Sequence, residues 1–573
     1  MSETRARARS RLDSFAALTA YRDGLRARPQ PPHVVRVCGD TGCNAGGGLL
    51  VLDALRNEVA RRGLGADVEV RRVGCMGFCS KGPVVTVESI GAAQRSSPVF
   101  YQLVTSGDAW EILDAVLAGG IVERLVYSDE SRGRVPLMDE IPFYARQMRV
   151  LLDHSLTVDP TDIDAFIGRG GYEGLAKALG TMTQEEVVAE MVASGLRGRG
   201  GAGFPTGVKW RLTAEQPGDT KYVICNGSEG DPGAFSDRGI YQGDPHAVLE
   251  GMIIGAYAVG ASEGYIYCKT VHATAAEYLK RAIRQAEKLG LLGDDILGSG
   301  FSCRLKLKES PGGFVCGEET ALAASIEGGR GMPRMRPPFP SVAGLWGKPT
   351  NVNNVETWAY VGPIIQHGAA WFASMGTDTS KGTKVFSLAG QAANTGLVEV
   401  PMGATLRELI FGVGGGMTPG HRFKAVLMGG PAGGCLCEQH LDLPVDYESL
   451  REAGAIMGSG GVIVMDDTTC MVDLARFFID FTQSESCGKC VPCRIGTKRM
   501  LEILDRITSG EGEPEDLQRL EKLARTVKTT SLCGLGIGAP NPVLSTIQYF
   551  RHEYEQHILE KRCPSGACPA LAR

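Results

Sequence analysis

The chain has 573 residues, with 60 basic and 65 acidic side chains and a net charge of −5, so it has no basic excess for nucleic acid. Hydrophobic residues make up 43% and charged residues 22%, an ordinary globular composition that excludes wholesale disorder. The length predicts roughly three or four domains, and no apolar run approaches the ~20 residues of a membrane span, so we expect no direct membrane insertion.

The N-terminal part begins with a basic stretch. Residues 1–30 contain seven arginines and end in a proline-rich linker, which predicts a short helical extension. Residues 31–125 combine alternating apolar segments with helix-like spacing at 49–62 and 108–119, which indicates a compact domain of strands and helices. Residues 126–165 are polar and contain proline, and predict a helical connector with one or two helices.

Three further units follow. Residues 166–370 predict an α/β domain, with strands at 222–226 and 264–269 and helices at 246–260 and 272–290. Residues 371–460 predict a smaller strand-rich domain, and residues 461–573 a helical domain with a cysteine-containing tail. The predicted fold class is therefore multidomain α/β.

Seventeen cysteines form three groups, besides six without mutual spacing. A chain of this length needs no disulfide staples, and its N-terminus lacks the apolar core of a secretory signal, so we expect a cytoplasmic protein. The first group is a C-x4-C pair and a C-x3-C pair, each in a glycine-containing loop after a predicted strand. Its members are Cys38, Cys43, Cys75 and Cys79. Four thiolates on two loops suit a [2Fe–2S] cluster or a zinc ion, although zinc knuckles usually have C-x2-C spacing.

The second group lies in ESCGKCVPCR and in a distant TSLCGLG. Its members are Cys487, Cys490, Cys493 and Cys533. Three thiolates at C-x2-C-x2-C spacing with a remote fourth are typical of a [4Fe–4S] cluster. The third group offers a small zinc site from Cys470, His557, Cys563 and Cys568, with an idle, frayed tail as the alternative.

Glycine is about twice as frequent as usual, at 77 residues, and several glycine loops carry polar residues. GLRGRGGAGFPTGVKW (195–210) contains G-x-G-x-x-G, but a predicted helix precedes it, so it is not an ordinary Rossmann turn. Its bare backbone and flanking cations suit a phosphate. Glu229 and Asp231 follow a strand, where acids can accept ribose hydroxyls and repel an extra phosphate.

Two more segments complete this set. Glu318 and Glu319 lie at a predicted helix start, where capping is their simplest role. Asn353 and Asn354 suit the polar edge of a heterocycle. The sequence contains neither a G-x-S-x-G motif nor an obvious catalytic triad, and hydride transfer between two cofactors demands no general base from the protein.

Together these motifs resemble the NADH-oxidising flavin subunit of respiratory complex I. They are closer still to the diaphorase subunits of soluble NAD-linked or electron-bifurcating hydrogenases and NAD-dependent formate dehydrogenases. The resemblance covers roughly residues 140–560, through GRGGAGFPTG, CNGSEGDPGAFSDR, CGEETAL, PPFP and ESCGKCVPCR. It implies a Rossmann-like FMN- and NADH-binding domain at 166–370, a β-grasp (SLBB) domain at 371–460 and a [4Fe–4S] helical bundle after 461. The N-terminal unit at 31–125 separately resembles the thioredoxin-like [2Fe–2S] domain that complex I carries on another subunit.

The resemblance also implies roles for individual residues. The residues expected to line FMN are Gly198, Gly200, Lys209, Asn226, Ser228, Gly317, Glu318, Val352, Asn353 and Asn354. The residues expected to face the nicotinamide dinucleotide are Gly201, Phe204, Glu229, Asp231, Phe314, Glu319, Arg336 and Phe339. Ser228 stands where the family usually has Asp. Phe314 stands where the family often has Tyr, and Asp231 stands where complex I has Glu.

The expected activity is hydride transfer between NADH and FMN, followed by one-electron transfer through the [4Fe–4S] and [2Fe–2S] clusters. Expected partners are a thioredoxin-like [2Fe–2S] subunit and a further iron–sulfur or catalytic subunit of hydrogenase, formate dehydrogenase or complex I type. Electron bifurcation at the flavin is one alternative, motivated by the extra N-terminal cluster. A scaffold subunit that kept its clusters and lost its flavin is another.

Overall fold

The computed structural model describes residues 11–89, 97–129 and 132–571. Residues 1–10 of the predicted N-terminal extension therefore lie outside the described residues. The described part of the extension contains α1 (Phe15–Arg26), which is capped by Ser14, whose side chain accepts from the backbone N–H of Ala17. Its apolar face, with Leu18 and Leu25, joins the core of the large α/β unit.

The first unit has a four-stranded sheet. The strands are β1 (His33–Cys38), β2 (Val68–Val73), β3 (Val85–Ser89) and β4 (Val99–Tyr101), in the order β2-β1-β3-β4. β1 is parallel to β2 and antiparallel to β3. The accompanying helices are α2 (Thr41–Ala45), α3 (Gly48–Arg62) and α4 (Ala109–Leu117). The two segments with helix-like spacing are helices, and the unit also contains strands as predicted; β4 ends before Leu103, which has a left-handed backbone.

The connector differs from the prediction of one or two helices. It contains a two-stranded hairpin, β5 (Tyr127–Asp129) and β6 (Gly133–Val135), and three short helices, α5 (Pro142–Ala145), α6 (Leu152–Ser155) and α7 (Ile163–Gly168). Strands of three residues are too short to show an alternating pattern. The connector is anchored by the buried Glu399, whose carboxylate accepts from the backbone N–H groups of Val150, Leu151 and Leu152.

The α/β unit contains a parallel four-stranded sheet. Its strands are β7 (Tyr222–Gly227), β8 (Glu263–Lys269), β9 (Arg304–Ser310) and β10 (Thr350–Asn354), in the order β10-β7-β8-β9. Its helices are α8 (Glu173–Thr181), α9 (Gln184–Ala193), α10 (Thr206–Ala214), α11 (Ser236–Gly243), α12 (Pro245–Val259), α13 (Ala273–Leu289), α14 (Glu319–Ile326), α15 (Pro340–Ala343), α16 (Val355–His367) and α17 (Ala369–Ala373). Because the register pairs Asn226 with Asn354, the carboxyl ends of two adjacent strands bring these side chains to one edge.

A mixed five-stranded sheet follows. It consists of β11 (Thr383–Gly390), β12 (Gly396–Pro401), β13 (Phe423–Met428), β14 (Gly434–Cys437) and β15 (Gly461–Asp466), in the order β12-β11-β15-β13-β14. Helix α18 (Tyr447–Glu452) precedes the last strand. β15 is parallel to β11 and lies at the centre of the sheet, so the sheet extends beyond the predicted boundary at residue 460.

The remaining chain is helical. Its α-helices are α19 (Met471–Ser484), α20 (Val491–Thr508), α21 (Pro514–Thr530), α22 (Gly534–Gly538) and α23 (Asn541–Glu555). The longer ones pack around a core that includes Ile479, Leu504, Leu520 and Ile547. Among the residues described, no helix is long and apolar enough to cross a membrane.

One buried ion pair joins the α/β unit to the five-stranded sheet. The Lys384 ammonium on β11 lies 2.9 Å from the Glu356 carboxylate on α16, and both side chains are 0% exposed. The same ammonium donates to the backbone carbonyls of Arg199 and Ser459, and Glu356 accepts from the backbone N–H of Val385. Every charge in this junction is therefore hydrogen-bonded.

We predict that Lys384→Met lowers the free energy of unfolding by about 3–5 kcal/mol, because it leaves the Glu356 carboxylate buried without its cation. Urea unfolding followed by tryptophan fluorescence measures the loss. Arg407→Ala is the matched control, since it removes an exposed ion pair with Asp442 and should cost less than about 1 kcal/mol. Equal midpoints for both variants would contradict the prediction.

Candidate functional site

The glycine loop lies between α9 and α10 and is folded tightly. Gly201 has φ of +119° and Gly203 has φ of +63°, backbone conformations that favour glycine. A Cβ on Gly203 would lie 2.5 Å from the Tyr447 ring, and the Tyr447 hydroxyl donates to the carbonyl of Gly198. The predicted helix before the loop is present, so this is not the strand–turn–helix of an ordinary Rossmann site.

The carboxyl ends of β7 and β10 face this loop. Asn226 donates its side-chain amide to the carbonyl of Gly317 at 2.9 Å. Asn354 caps α16 and donates to the Asp237 carboxylate, and a Cβ on Gly200 would lie 3.0 Å from the Asn354 Cβ. Asn353 is buried and accepts from the Trp210 indole at 3.0 Å. Some of the hydrogen-bonding capacity of these asparagines is thus used within the protein itself.

The turn before α14 supplies two carboxylates with different partners. Glu318 caps the helix by accepting from the backbone N–H groups of Thr320 and Ala321, the role that its position predicted. Glu319 pairs with Lys209, whose ammonium lies 2.6 Å from the carboxylate and 2.9 Å from the carbonyl of Val352. Lys209 therefore brings the glycine-loop helix, β10 and the α14 turn to one point.

The two predicted acids after β7 have different surroundings. Asp231 accepts from the Ser459 hydroxyl at 2.9 Å, and burial raises the pKa of its carboxyl to about 6. Glu229 is buried and accepts from the backbone N–H groups of Asp237 and Arg238 at the start of α11. Both carboxylate oxygens of Glu229 are thus used to cap α11. Among the described residues, Asp231 bonds only through its contact with Ser459, so it is the acid with more capacity to bind a ligand.

Aromatic and cationic side chains lie at the outer part of the site. Phe204 is 45% exposed and Phe339 is 53% exposed, so both rings present apolar surface. The Arg336 guanidinium lies 5.8 Å from the centre of the Phe339 ring and 3.8 Å from the Glu318 carboxylate. Phe314 packs against Phe481, with ring centres 5.6 Å apart.

The ESCGKCVPCR cysteines lie beside the strand ends. Cys493 and Cys533 share one buried apolar cluster with Val352, and Cys487 and Cys490 pack against the same cluster. Burial raises the pKa of Cys493 to about 11. Four converging thiols fit a [4Fe–4S] cluster, whose iron would hold them as thiolates.

The N-terminal cysteines also converge. The sulfurs of Cys75 and Cys79 are 3.9 Å apart. The neighbouring thiols of Cys43 and Cys75 hold the pKa of Cys38 well below its usual range. A thiolate that is already favoured by its neighbours fits a [2Fe–2S] cluster.

The third group is the most compact. The ligand atoms of Cys470, His557, Cys563 and Cys568 all lie within 4.8 Å of one another, and all four residues are buried. The His557 Nε2 is 3.4 Å from the sulfurs of both Cys470 and Cys568. Three sulfurs and one imidazole nitrogen form the Cys3His donor set of structural zinc sites.

Two buried hydroxyls in the candidate flavin site have no hydrogen-bond partner among the described residues. They are the Oγ of Ser228 and the Oγ1 of Thr206. A buried hydroxyl without a protein partner can form its hydrogen bond with a water or a ligand. Together with the bare backbone of the glycine loop, they fit a flavin phosphate or ring. Thr206 was not predicted, although it lies within the GFPTG segment.

Three family models match the chain. They are the Nuo51 FMN-binding domain over residues 191–362, the NADH-ubiquinone oxidoreductase-F iron-sulfur binding region over 473–557, and the thioredoxin-like [2Fe-2S] ferredoxin over 13–116. The chain is 46% identical over 415 residues to the F 2 subunit of the NADH-quinone oxidoreductase of Rhizobium meliloti, covering 72% of this chain and 99% of the relative. The chain belongs to the family of NADH-quinone oxidoreductase flavin subunits.

Other relatives in this family are hydrogenase subunits. The chain is 55% identical over 426 residues to the NADP-reducing hydrogenase subunit HndC of Solidesulfovibrio fructosivorans, covering 74% of this chain and 86% of the relative. An NAD+-reducing [NiFe]-hydrogenase in its H2-reduced state has a chain with a TM-score of 0.65 and 27% identity, covering 94% of this chain and 87% of that one. These findings confirm the predicted resemblance to diaphorase-type oxidoreductases, with FMN, [4Fe–4S] and [2Fe–2S] as cofactors.

Proposed function

We propose that this flavin-subunit protein binds NAD(H) over FMN and exchanges electrons with iron–sulfur or catalytic partner subunits of a hydrogenase, formate dehydrogenase or complex I-type assembly. One observation carries the proposal: the strand ends and the α14 turn share a buried cluster with the ESCGKCVPCR cysteines. A flavin held by those elements would lie next to the first cluster. When bound, FMN converts two-electron hydride transfer into one-electron transfer.

The FMN site that we propose lies between the glycine loop, the carboxyl ends of β7 and β10, and the α14 turn. Its residues are Gly198, Gly200, Lys209, Asn226, Ser228, Gly317, Glu318, Val352, Asn353 and Asn354. The unpartnered Ser228 hydroxyl and the Lys209 ammonium support this assignment. The same geometry disfavours the alternative of a scaffold without flavin, because the loop and its cation remain assembled.

The nucleotide site that we propose lies on the outer side of the same elements. Its residues are Gly201, Phe204, Glu229, Asp231, Phe314, Glu319, Arg336 and Phe339. The exposed Phe204 and Phe339 rings offer stacking surfaces, and Asp231 can accept ribose hydroxyls. Glu319 would lie near the nicotinamide, where Lys209 fixes its carboxylate.

Two further assignments belong to this proposal. The five-stranded sheet, whose order is second-first-fifth-third-fourth, supports the β-grasp prediction. The compact donor set of Cys470, His557, Cys563 and Cys568 supports a structural zinc ion. We place the assembly in the cytoplasm, since none of the 17 cysteines, all of them within the described residues, forms a disulfide. Electron bifurcation stays a prediction that the fused [2Fe–2S] domain motivates.

We expect the anaerobically purified chain to hold about one FMN and six irons, and to reduce a one-electron dye with NADH. Iron and flavin assays and the rate of dye reduction measure these outcomes. Cys490→Ser should remove about four irons and leave the N-terminal cluster in place. Iron without flavin, and no turnover after FMN is added, would refute the proposed function.

The pH dependence of nucleotide choice tests Asp231. Above about pH 6 its carboxyl is ionised and should repel a 2′-phosphate, so the preference for NADH over NADPH should fall as the pH drops through 6. Asp231→Asn should lower that preference on the order of tenfold at about pH 8 and remove its pH dependence. The ratio of kcat/KM for the two nucleotides measures both effects.

Ser459→Ala provides a matched control for this test. The Ser459 hydroxyl lowers the pKa of Asp231, so its removal should move the midpoint of the pH profile upward without abolishing it. A preference that is unchanged in Asp231→Asn would show that Asp231 does not read the ribose.

The zinc assignment predicts one zinc ion per chain in addition to the cluster iron. Cys563→Ser and Cys568→Ser should lose that zinc and lower the melting temperature, because the tail would no longer be bound to the start of α19. Elemental analysis and thermal unfolding measure both. Cys437→Ser is the control, since this half-buried thiol lies outside the group. Wild-type protein without zinc would exclude the site.

A further inference from the structure

Glu485 lies at the end of α19, two residues before Cys487. Its Oε2 accepts from the backbone N–H of Phe314 at 2.7 Å. A Cβ on Gly313 would lie 2.6 Å from the same oxygen, so the carboxylate packs closely on the backbone just before Phe314. Glu485 therefore joins the cluster loop to the segment that carries Phe314.

A second polar contact runs from the same loop to a different segment. The Lys489 ammonium, between Cys487 and Cys490, donates to the carbonyl of Pro333 at 2.6 Å. Pro333 begins the stretch that leads to Arg336 and Phe339. Two of the segments that carry aromatic side chains on the nucleotide side are thus each bonded to a residue near a cluster cysteine.

The place of Glu485 in its helix supports a role beyond local structure. A carboxylate at a helix C-terminus is disfavoured by the helix dipole, so Glu485 does not stabilise α19 through its charge. Its oxygen instead satisfies the first N–H of the 3-10 turn Phe314–Gly317, which has no partner within the turn. The Phe314 ring packs on Phe481, one turn earlier in the same helix.

We propose that Glu485 and Lys489 are positioning residues that couple the [4Fe–4S] loop to two of the segments lining the nucleotide site, those that carry Phe314 and Phe339. This proposal rests on the proposed function for the identity of the ligand. Since coupling between two sites is reciprocal, a change at the cluster loop alters nucleotide affinity, and bound nucleotide alters the surroundings of the cluster.

The test uses the full chain, reconstituted anaerobically with FMN and both clusters. The variants are Glu485→Ala, Glu485→Gln and Lys489→Met, with Lys498→Met as an exposed control on α20. Backbone hydrogen exchange of residues 312–318 and 330–340 is measured without nucleotide. The dissociation constant of NAD+ and the electron paramagnetic resonance spectrum of the reduced [4Fe–4S] cluster, with and without NAD+, are measured on the same samples.

We expect Glu485→Ala to speed exchange in 312–318 about tenfold and to weaken NAD+ binding about five- to tenfold, because a hydrogen bond to a charged acceptor is lost. Glu485→Gln keeps an acceptor oxygen and should behave nearly as wild type. Lys489→Met should speed exchange in 330–340, and Lys498→Met should change neither segment. The NAD+-dependent change in the cluster spectrum should shrink in Glu485→Ala and Lys489→Met.

Wild-type exchange and affinity in both Glu485→Ala and Lys489→Met would overturn the proposal, as would a Gln variant as impaired as the Ala variant. If Glu485→Ala fails to hold its iron, Lys489→Met alone decides. Failure of the proposed function is distinguishable, because wild-type protein loaded with cofactors would then bind no NAD+ and show no reduction by NADH. The exchange measured without nucleotide would still report whether the two contacts hold the segments.

Discussion

A buried cation on the neighbouring sheet, the Lys384 ammonium, is one of the groups that hold the shape of the glycine loop. The Lys384 ammonium bonds to the loop carbonyl of Arg199, to the carbonyl of Ser459 beside Asp231, and to Glu356 on the helix that Asn354 caps. A backbone with several glycines has a high conformational entropy when it is free, so an open, anion-ready loop needs such external bonds. Three parts of the candidate nucleotide site therefore depend on one side chain from another sheet.

The cysteine groups illustrate how metal chemistry constrains the fold. Thiols that converge in a buried space repel one another as thiolates, and the raised pKa of Cys493 reflects the cost of ionising it there. The cost is offset when iron binds, so the surrounding core and the metal stabilise each other. The shared cluster of Cys493, Cys533 and Val352 places this coupled folding against the proposed flavin site. Stability and electron transfer thus depend on the same contacts.

Local motifs indicated the residues of the candidate site, whereas contacts between distant positions could not be predicted. Three short motifs each indicate one kind of ligand from a few neighbouring residues. They are the glycine loop from Gly198 to Lys209, the adjacent Asn353 and Asn354, and the cysteines from Cys487 to Cys493. No local pattern indicates that Ser459 lies on Asp231, 228 positions away, or that Glu485 lies on Phe314, 171 positions away. The β5–β6 hairpin and the central strand β15 escaped prediction for a related reason, since short or fully buried strands lack a clear alternation.

The N-terminal unit makes direct contacts with the rest of the protein. A unit attached only by a flexible linker would not make them. Its Cys75–Cys79 loop bonds to the edge strand β12, where Leu397 donates to the carbonyl of Gly77 and Ser80 donates to that of Thr395. On its other side, a Cβ on Gly74 would lie 2.4 Å from the Gly243 Cα at the end of α11. Glu229 caps the opposite end of that helix, next to Asp231. The contacts with β12 and α11 thus hold the N-terminal cysteines in a set position relative to the proposed nucleotide site, and electron transfer between two centres depends on such a fixed separation.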